Sequence, residues 1–182
     1  MADFDFRRAF KPGGRADPHT FQIALALVAL GDAARLTVLG GLAAPAWLAV
    51  LLFLVFALSN RLRDAGRPVP LAALAISVAI AAKAAVALIA ITAALYPDFL
   101  QFLADQGVDV NDAAAMQAAA YDPAMQEAYQ ARLIDSPELM QRISTAGDWP
   151  STWAFWGVIA VFAYAWSRWP GRPQTVRGGG RA

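Results

Sequence analysis

Apolar and polar positions along the chain fall into four apolar runs, covering about residues 19–42, 46–60, 69–96 and 151–169. A helix needs about 20 residues to cross a hydrocarbon core of about 30 Å, and the first and third runs exceed that length. The second run is apolar all round and can face lipid. It continues into Asn60-Arg61-Leu62-Arg63-Asp64-Ala65-Gly66-Arg67-Pro68. There Gly66, with Pro68 two residues on, is a helix stop. The pattern predicts an all-α integral membrane protein in one membrane domain, residues 1–182. It has four transmembrane helices and a short helical extracytoplasmic region, residues 97–150, between the third and fourth.

Composition narrows the class. The chain has 182 residues, 58% hydrophobic and 16% charged, against about 25% charged in a soluble domain. It has no cysteine, which excludes disulfides, thiolate nucleophiles and cysteine-ligated metals. A net charge of +1 gives no reason to expect a nucleic-acid partner. Residues 1–20 contain no apolar core of a cleaved signal, so the first span is expected to serve as its own insertion signal.

Charges inside the spans are the candidate chemistry. Asp17-Pro18 reads as an N-cap followed by proline at the first helical position. Beyond it the first span carries Asp32 and Arg35. On an insertion scale a central charge costs roughly 2.5–3.5 kcal/mol and a large apolar residue returns roughly 0.3–0.6 kcal/mol. The sum is near zero, so this helix needs its neighbours and turns its charges towards them. Three residues apart, Asp32 and Arg35 can also neutralise each other. The third span is alanine-rich and holds Lys83 at its middle, on a face with Ala72, Ile76, Ala79, Ala87 and Ala90. Lys83 lies at a depth similar to Asp32, too far from either interface to snorkel. It is expected to meet Asp32, directly or through Arg35. These three residues form the expected intramembrane charge cluster.

Residues 97–150 carry nine acidic and two basic residues. Asp122-Pro123 and Ser136-Pro137 each place a cap before a helix-opening proline, and Met125, Tyr129 and Leu133 recur on one helix face. Two or three short helices follow from this, with a solvated acidic face and no regular metal-ligand spacing. Phe99, Leu100, Phe102 and Leu103 suit a membrane interface. Trp149, Trp153 and Trp156 at one end of the last run, and Trp166 and Trp169 at the other, read as an aromatic belt. Basic residues gather in the N-terminal arm, the second-to-third connection and the C-terminal tail (Arg168, Arg172, Arg177, Arg181). The positive-inside rule then places both termini in the cytoplasm, and the tail suits anionic lipid headgroups.

Two short elements carry a family resemblance. One is Phe10-Lys11-Pro12-Gly13-Gly14-Arg15-Ala16 with Phe21; the other is Asn60 to Arg67. At Gly14, Arg15, Phe21, Arg61, Leu62, Asp64, Gly66 and Arg67 the chain resembles the small bacterial inner-membrane family called domain of unknown function 805. It departs from that pattern at Asn60, where the family has arginine, and at Arg63, where it has histidine. Pro68-Val69-Pro70 also stands in place of Gly-Trp, and the third-to-fourth connection is long. The resemblance covers about residues 6–96 and implies a bacterial inner-membrane location and a cytoplasmic motif of Gly14, Arg15, Arg61, Asp64, Gly66 and Arg67. It implies no activity.

The lone His19 has no triad partners, and no catalytic set, cofactor box or metal site is expected. The leading functional expectation is a non-catalytic accessory or scaffold subunit, packing against a larger membrane complex. The alternative is a small transporter or proton-relay protein using Asp32, Arg35 and Lys83.

Overall fold

The computed structural model describes residues 6–38 and 43–171, and among these it is all-helical. The helices are α1 (Phe6–Phe10), α2 (Pro18–Val38), α3 (Ala43–Asp64), α4 (Pro70–Asp105), α5 (Ala113–Tyr121), α6 (Pro123–Ile134), α7 (Pro137–Ala146) and α8 (Asp148–Ser167). Three are long and apolar enough to cross a membrane: α2, α3 over Pro45–Asp64, and α4. At 20 residues α8 is long enough, about 30 Å. Asp148, Ser151, Thr152 and four indole N–H groups dilute its apolar character, and it falls short of the other three. Gly40-Gly41, where the sequence suggests a tight turn between the first two runs, and the tail arginines Arg172, Arg177 and Arg181 lie outside the described residues.

Local signals explain the helix ends. Asp17 Oδ1 accepts from the amides of His19 and Thr20, both at 3.0 Å, and Oδ2 accepts from the Thr20 hydroxyl at 2.7 Å. These bonds satisfy donors that the first turn of α2 leaves open. Asp112 and Asp122 cap α5 and α6 in the same way, whereas Ser136 before α7 makes no side-chain cap bond. Instead of stopping near Tyr96, α4 runs through Pro97 to Asp105. At about 54 Å it far exceeds the hydrocarbon core.

The chain groups into two compact units. The first holds α1, α2, α3, α4 up to Ile80 and α8 from Trp156. Its core is built from Phe21, Ala24, Leu54, Leu58, Ala75, Ala79 and Ile159. Small residues on α4 here (Ala72, Ala75, Ala79) are buried, so helix backbones approach closely.

The second unit is Ala81–Phe155. Phe102, Leu103, Ala119 and Tyr129 form its buried cluster, with Met125 and Leu133 packed against it. Phe102 and Leu103 therefore face a protein core: an amphipathic turn looks the same in sequence whichever apolar phase it meets. Gly147 permits another close approach, since a Cβ there would sit 3.2 Å from the Ala87 Cα.

Candidate functional site

The motif read from the sequence converges at the C-terminal end of α3. The helix ends in a Schellman arrangement: the Arg67 amide donates to the Leu62 carbonyl at 2.8 Å and the Gly66 amide to Arg63 at 3.2 Å. Gly66 has φ of +68°, a left-handed conformation that an L side chain resists.

Just before this stop, two adjacent side chains close off two other helices. Asn60, fully buried, donates through Nδ2 to the carbonyls of Ala9 at 2.9 Å and Lys11 at 3.0 Å. These oxygens belong to the end of α1, which has no helical partner for them. Arg61, also fully buried, reaches the end of α8. Its Nη2 and Nε donate to the Trp166 carbonyl at 2.9 and 3.2 Å, and Nη2 also to the Trp169 carbonyl. Its Nη1 pairs with Asp64 Oδ2 at 2.7 Å. A guanidinium at a helix C-terminus satisfies orphan carbonyls and opposes the negative end of the dipole. Arg67 lies 4.9 Å from the centre of the Trp169 ring, a cation–π distance.

The N-terminal arm joins the same end of α3. The Ala16 amide donates to the Asn60 carbonyl at 3.2 Å, and Arg63 Nη1 donates to Asn60 Oδ1 at 3.1 Å. Arg15 attracts the Asp64 carboxylate, and Asp17 attracts Arg61. Burial pushes the Asp17 carboxyl upward, but the hydrogen bonds from Thr20 and His19 outweigh it and hold its pKa below the ordinary value. Five of the six motif residues thus act at one place: Arg61, Asp64, Gly66 and Arg67 around the end of α3, with Arg15 beside them. Gly14 lies in the arm, its amide donating to the Lys11 carbonyl at 3.0 Å.

A second polar group lies deeper in this unit. Asp32 is fully buried; Oδ1 accepts from Arg35 Nε and Oδ2 from Trp156 Nε1, both at 2.8 Å. The Arg35 guanidinium also sits 5.2 Å from the centre of the Trp47 ring. Lys83 belongs to the second unit, where Nζ donates to Ser151 Oγ at 3.0 Å and Thr152 Oγ1 at 3.1 Å. Both hydroxyls are buried. Among the described residues every buried side-chain nitrogen or oxygen has a hydrogen-bond partner.

In the second unit Arg132 ties α6 to α4, with Nη2 3.2 Å from Asp98 Oδ1 and Nη1 3.1 Å from Asp105 Oδ2. The hydrogen bonds to Asp105 and Asp98 raise the Arg132 pKa. The Tyr129 hydroxyl donates to Asp98 at 3.2 Å; burial, and then the Asp98 charge, push its pKa up to about 12.

Sequence reasoning misses Trp156, Ser151, Thr152 and the carbonyls at the end of α8. Trp156 reads as part of a belt, yet Trp153 is exposed while Trp156 turns its N–H inward onto Asp32. Asn60 stands out in the sequence only as a departure from a pattern. Among known proteins the chain matches no family model, no curated protein and no solved structure.

Proposed function

We propose that this chain is a four-span protein of the bacterial inner membrane, with both termini cytoplasmic, acting as a non-catalytic accessory or scaffold subunit of a larger membrane complex. The observation that carries this reading is the coverage of α4. The chain itself buries only 11% of its apolar window, against 28% for α2 and 44% for α3. Within Ala81–Phe155, small and then larger apolar residues of α4 lie exposed at helical spacing: Ala81, Ala84, Ala85, Leu88 and Ile89. In lipid, small residues let a neighbouring helix come close, and van der Waals packing then holds it. In this reading α8 is the fourth span, with Trp149 and Trp153 exposed near one end. The charge asymmetry sets the orientation. The motif around Arg61 carries the likeness to domain of unknown function 805.

A transporter or relay needs a carboxylate free to exchange protons or bind solute. Both Asp32 oxygens already accept hydrogen bonds from side chains of this chain, which favours the subunit over the relay.

The test is solubilisation from native membranes in mild detergent, followed by native electrophoresis of the tagged chain. A subunit migrates in a discrete larger complex, and Ala81→Trp with Ala85→Trp releases it as a folded free protein. A chain that runs alone and moves an ion or solute in liposomes would overturn the proposal.

A further inference from the structure

We infer that α2 and α8 form a groove that binds one phospholipid, with an acyl chain between the two helices and the phosphate beside Arg168. It requires only that α2 and the part of α8 packed against it lie in a bilayer, and it stands whether or not the chain has a protein partner.

The bond from Trp156 Nε1 to Asp32 Oδ2 sets α8 against α2. From there the two helices line one groove of about 380 Å³ that reaches Gln22 on α2 and Ser167 on α8. Residue numbers fall along one wall as they rise along the other, so the helices run antiparallel. Leu25, Ala26, Ala29, Ile159, Ala160 and Ala163 form its apolar length. From Trp156 to Ser167 it runs roughly 16 Å, close to the ~15 Å half-thickness of a hydrocarbon core. Spread over that length, the volume gives a channel about 5 Å across, whereas a helix with its side chains is about 10–12 Å wide. One hydrocarbon chain fits there and a partner helix does not.

Polarity is segregated along the groove. At the far end the Trp156 N–H is already bonded to Asp32. The other polar lining residues, Gln22, Tyr164 and Ser167, belong to the end where α2 begins and α8 stops. The Arg168 guanidinium lies 4.3 Å from the centre of the Tyr164 ring and donates to its hydroxyl. That phenol is neutral, and Arg168 forms no ion pair among the described residues. The Tyr164 hydroxyl keeps its own proton to donate. The Gln22 side chain is exposed, with no hydrogen-bond partner among the described residues. Asp17, the carboxylate nearest to Gln22 in sequence, is engaged with the His19 and Thr20 amides and the Thr20 hydroxyl. The mouth thus holds one uncompensated cation and two neutral donors. Its complement is an apolar chain ending in an anion that accepts hydrogen bonds, the chemistry of a phospholipid.

Ala26 and Ala160 line the groove and are exposed in it, so larger side chains there fill it without entering the core. The experiment is native mass spectrometry of the delipidated full chain in detergent, with folding checked by gel filtration. The chain is offered equal amounts of phosphatidylglycerol and of diacylglycerol with the same acyl chains. The wild type should retain one phosphatidylglycerol with about tenfold or greater preference, the size expected of a hydrogen bond to a charged group. Ala26→Leu with Ala160→Leu should lose retention of both lipids. Arg168→Gln with Gln22→Ala should keep a bound lipid and lose the preference. Excess inorganic phosphate should leave the lipid in place; displacement by it would make the mouth a site for a free anion and overturn the proposal. Equal retention of the two lipids by the wild type, undiminished binding in the folded groove-filling variant, or a preference that survives loss of both donors would each overturn it too. Native electrophoresis of the same variants reads complex formation separately.

Discussion

Arg61 and Arg132 both bridge two segments and both pair with an aspartate, yet they do different work. Arg61 has no exposed side-chain surface; it holds carbonyls at the end of α8 and the Asp64 carboxylate. The Arg132 side chain keeps 30% of its surface exposed, and its partner Asp105 keeps 55%. Around Arg61, water cannot replace a lost partner, so each bond removed leaves a desolvated polar group. Around Arg132, water takes over at little cost. The same side chain is therefore a fastening in one unit and a surface tie in the other.

The largest effect should come from Arg61→Ala, which strips the Trp166 carbonyl and leaves Asp64 without its cation. Removing one partner of a buried pair costs about 3–5 kcal/mol, read as lost folded yield and a lower unfolding temperature in detergent. If the variant behaved like wild type, the contrast with Arg132 would collapse. Gly66→Ala forces an alanine into left-handed backbone at the same helix end and should cost about 1–2 kcal/mol by thermal unfolding. Asp17→Ala removes the α2 cap and should cost about 1 kcal/mol. Because the folded-state pKa of Asp17 is depressed, its contribution is present above the ordinary Asp pKa of about 3.9 and is lost as pH falls through the folded value. An acid titration of stability should show that loss in wild type and not in Asp17→Ala. Arg132→Gln should change the unfolding temperature least of all.

The second unit offers a pH probe of its own. The Tyr129 pKa is raised from 10.0 to about 12. Its contribution to stability is complete below pH 10 and lost as pH rises towards 12. Tyr129→Phe should flatten that alkaline loss, followed by hydrogen exchange within residues 97–150.

How much of the molecule is legible in the sequence follows from the range of each interaction. The caps at Asp17 and Asp122 and the stop at Gly66 depend on neighbours a few residues away, and each announces itself through an adjacent proline or glycine. Asp112 caps α5 in the same way but has no such neighbour to mark it. Asp32 with Arg35 is legible because the two form an i,i+3 pair on one helix. Arg61 is recognisable as a motif residue, but not as a cap for a helix end 105 residues on, since no local pattern records that contact. α3 is apolar all round, a pattern that suits a lipid-facing helix, yet it is the most covered of the three candidate spans. Uniform hydrophobicity says that a helix is out of water and gives no direction to its neighbours. Lys83 is legible as a cation inside an apolar run. Its hydroxyl partners are not, because Ser151 and Thr152 carry no periodic signal.

That buried charge in the first unit serves to hold the chain together is tested most directly at Asp32 and Arg35. Thermal unfolding would be compared for wild type, Asp32→Leu, Arg35→Met and the double variant in one detergent. Each single change leaves a buried partner without its opposite charge and should cost about 3–5 kcal/mol, while the double change should cost less than the worse single. Losses that simply add would contradict the account.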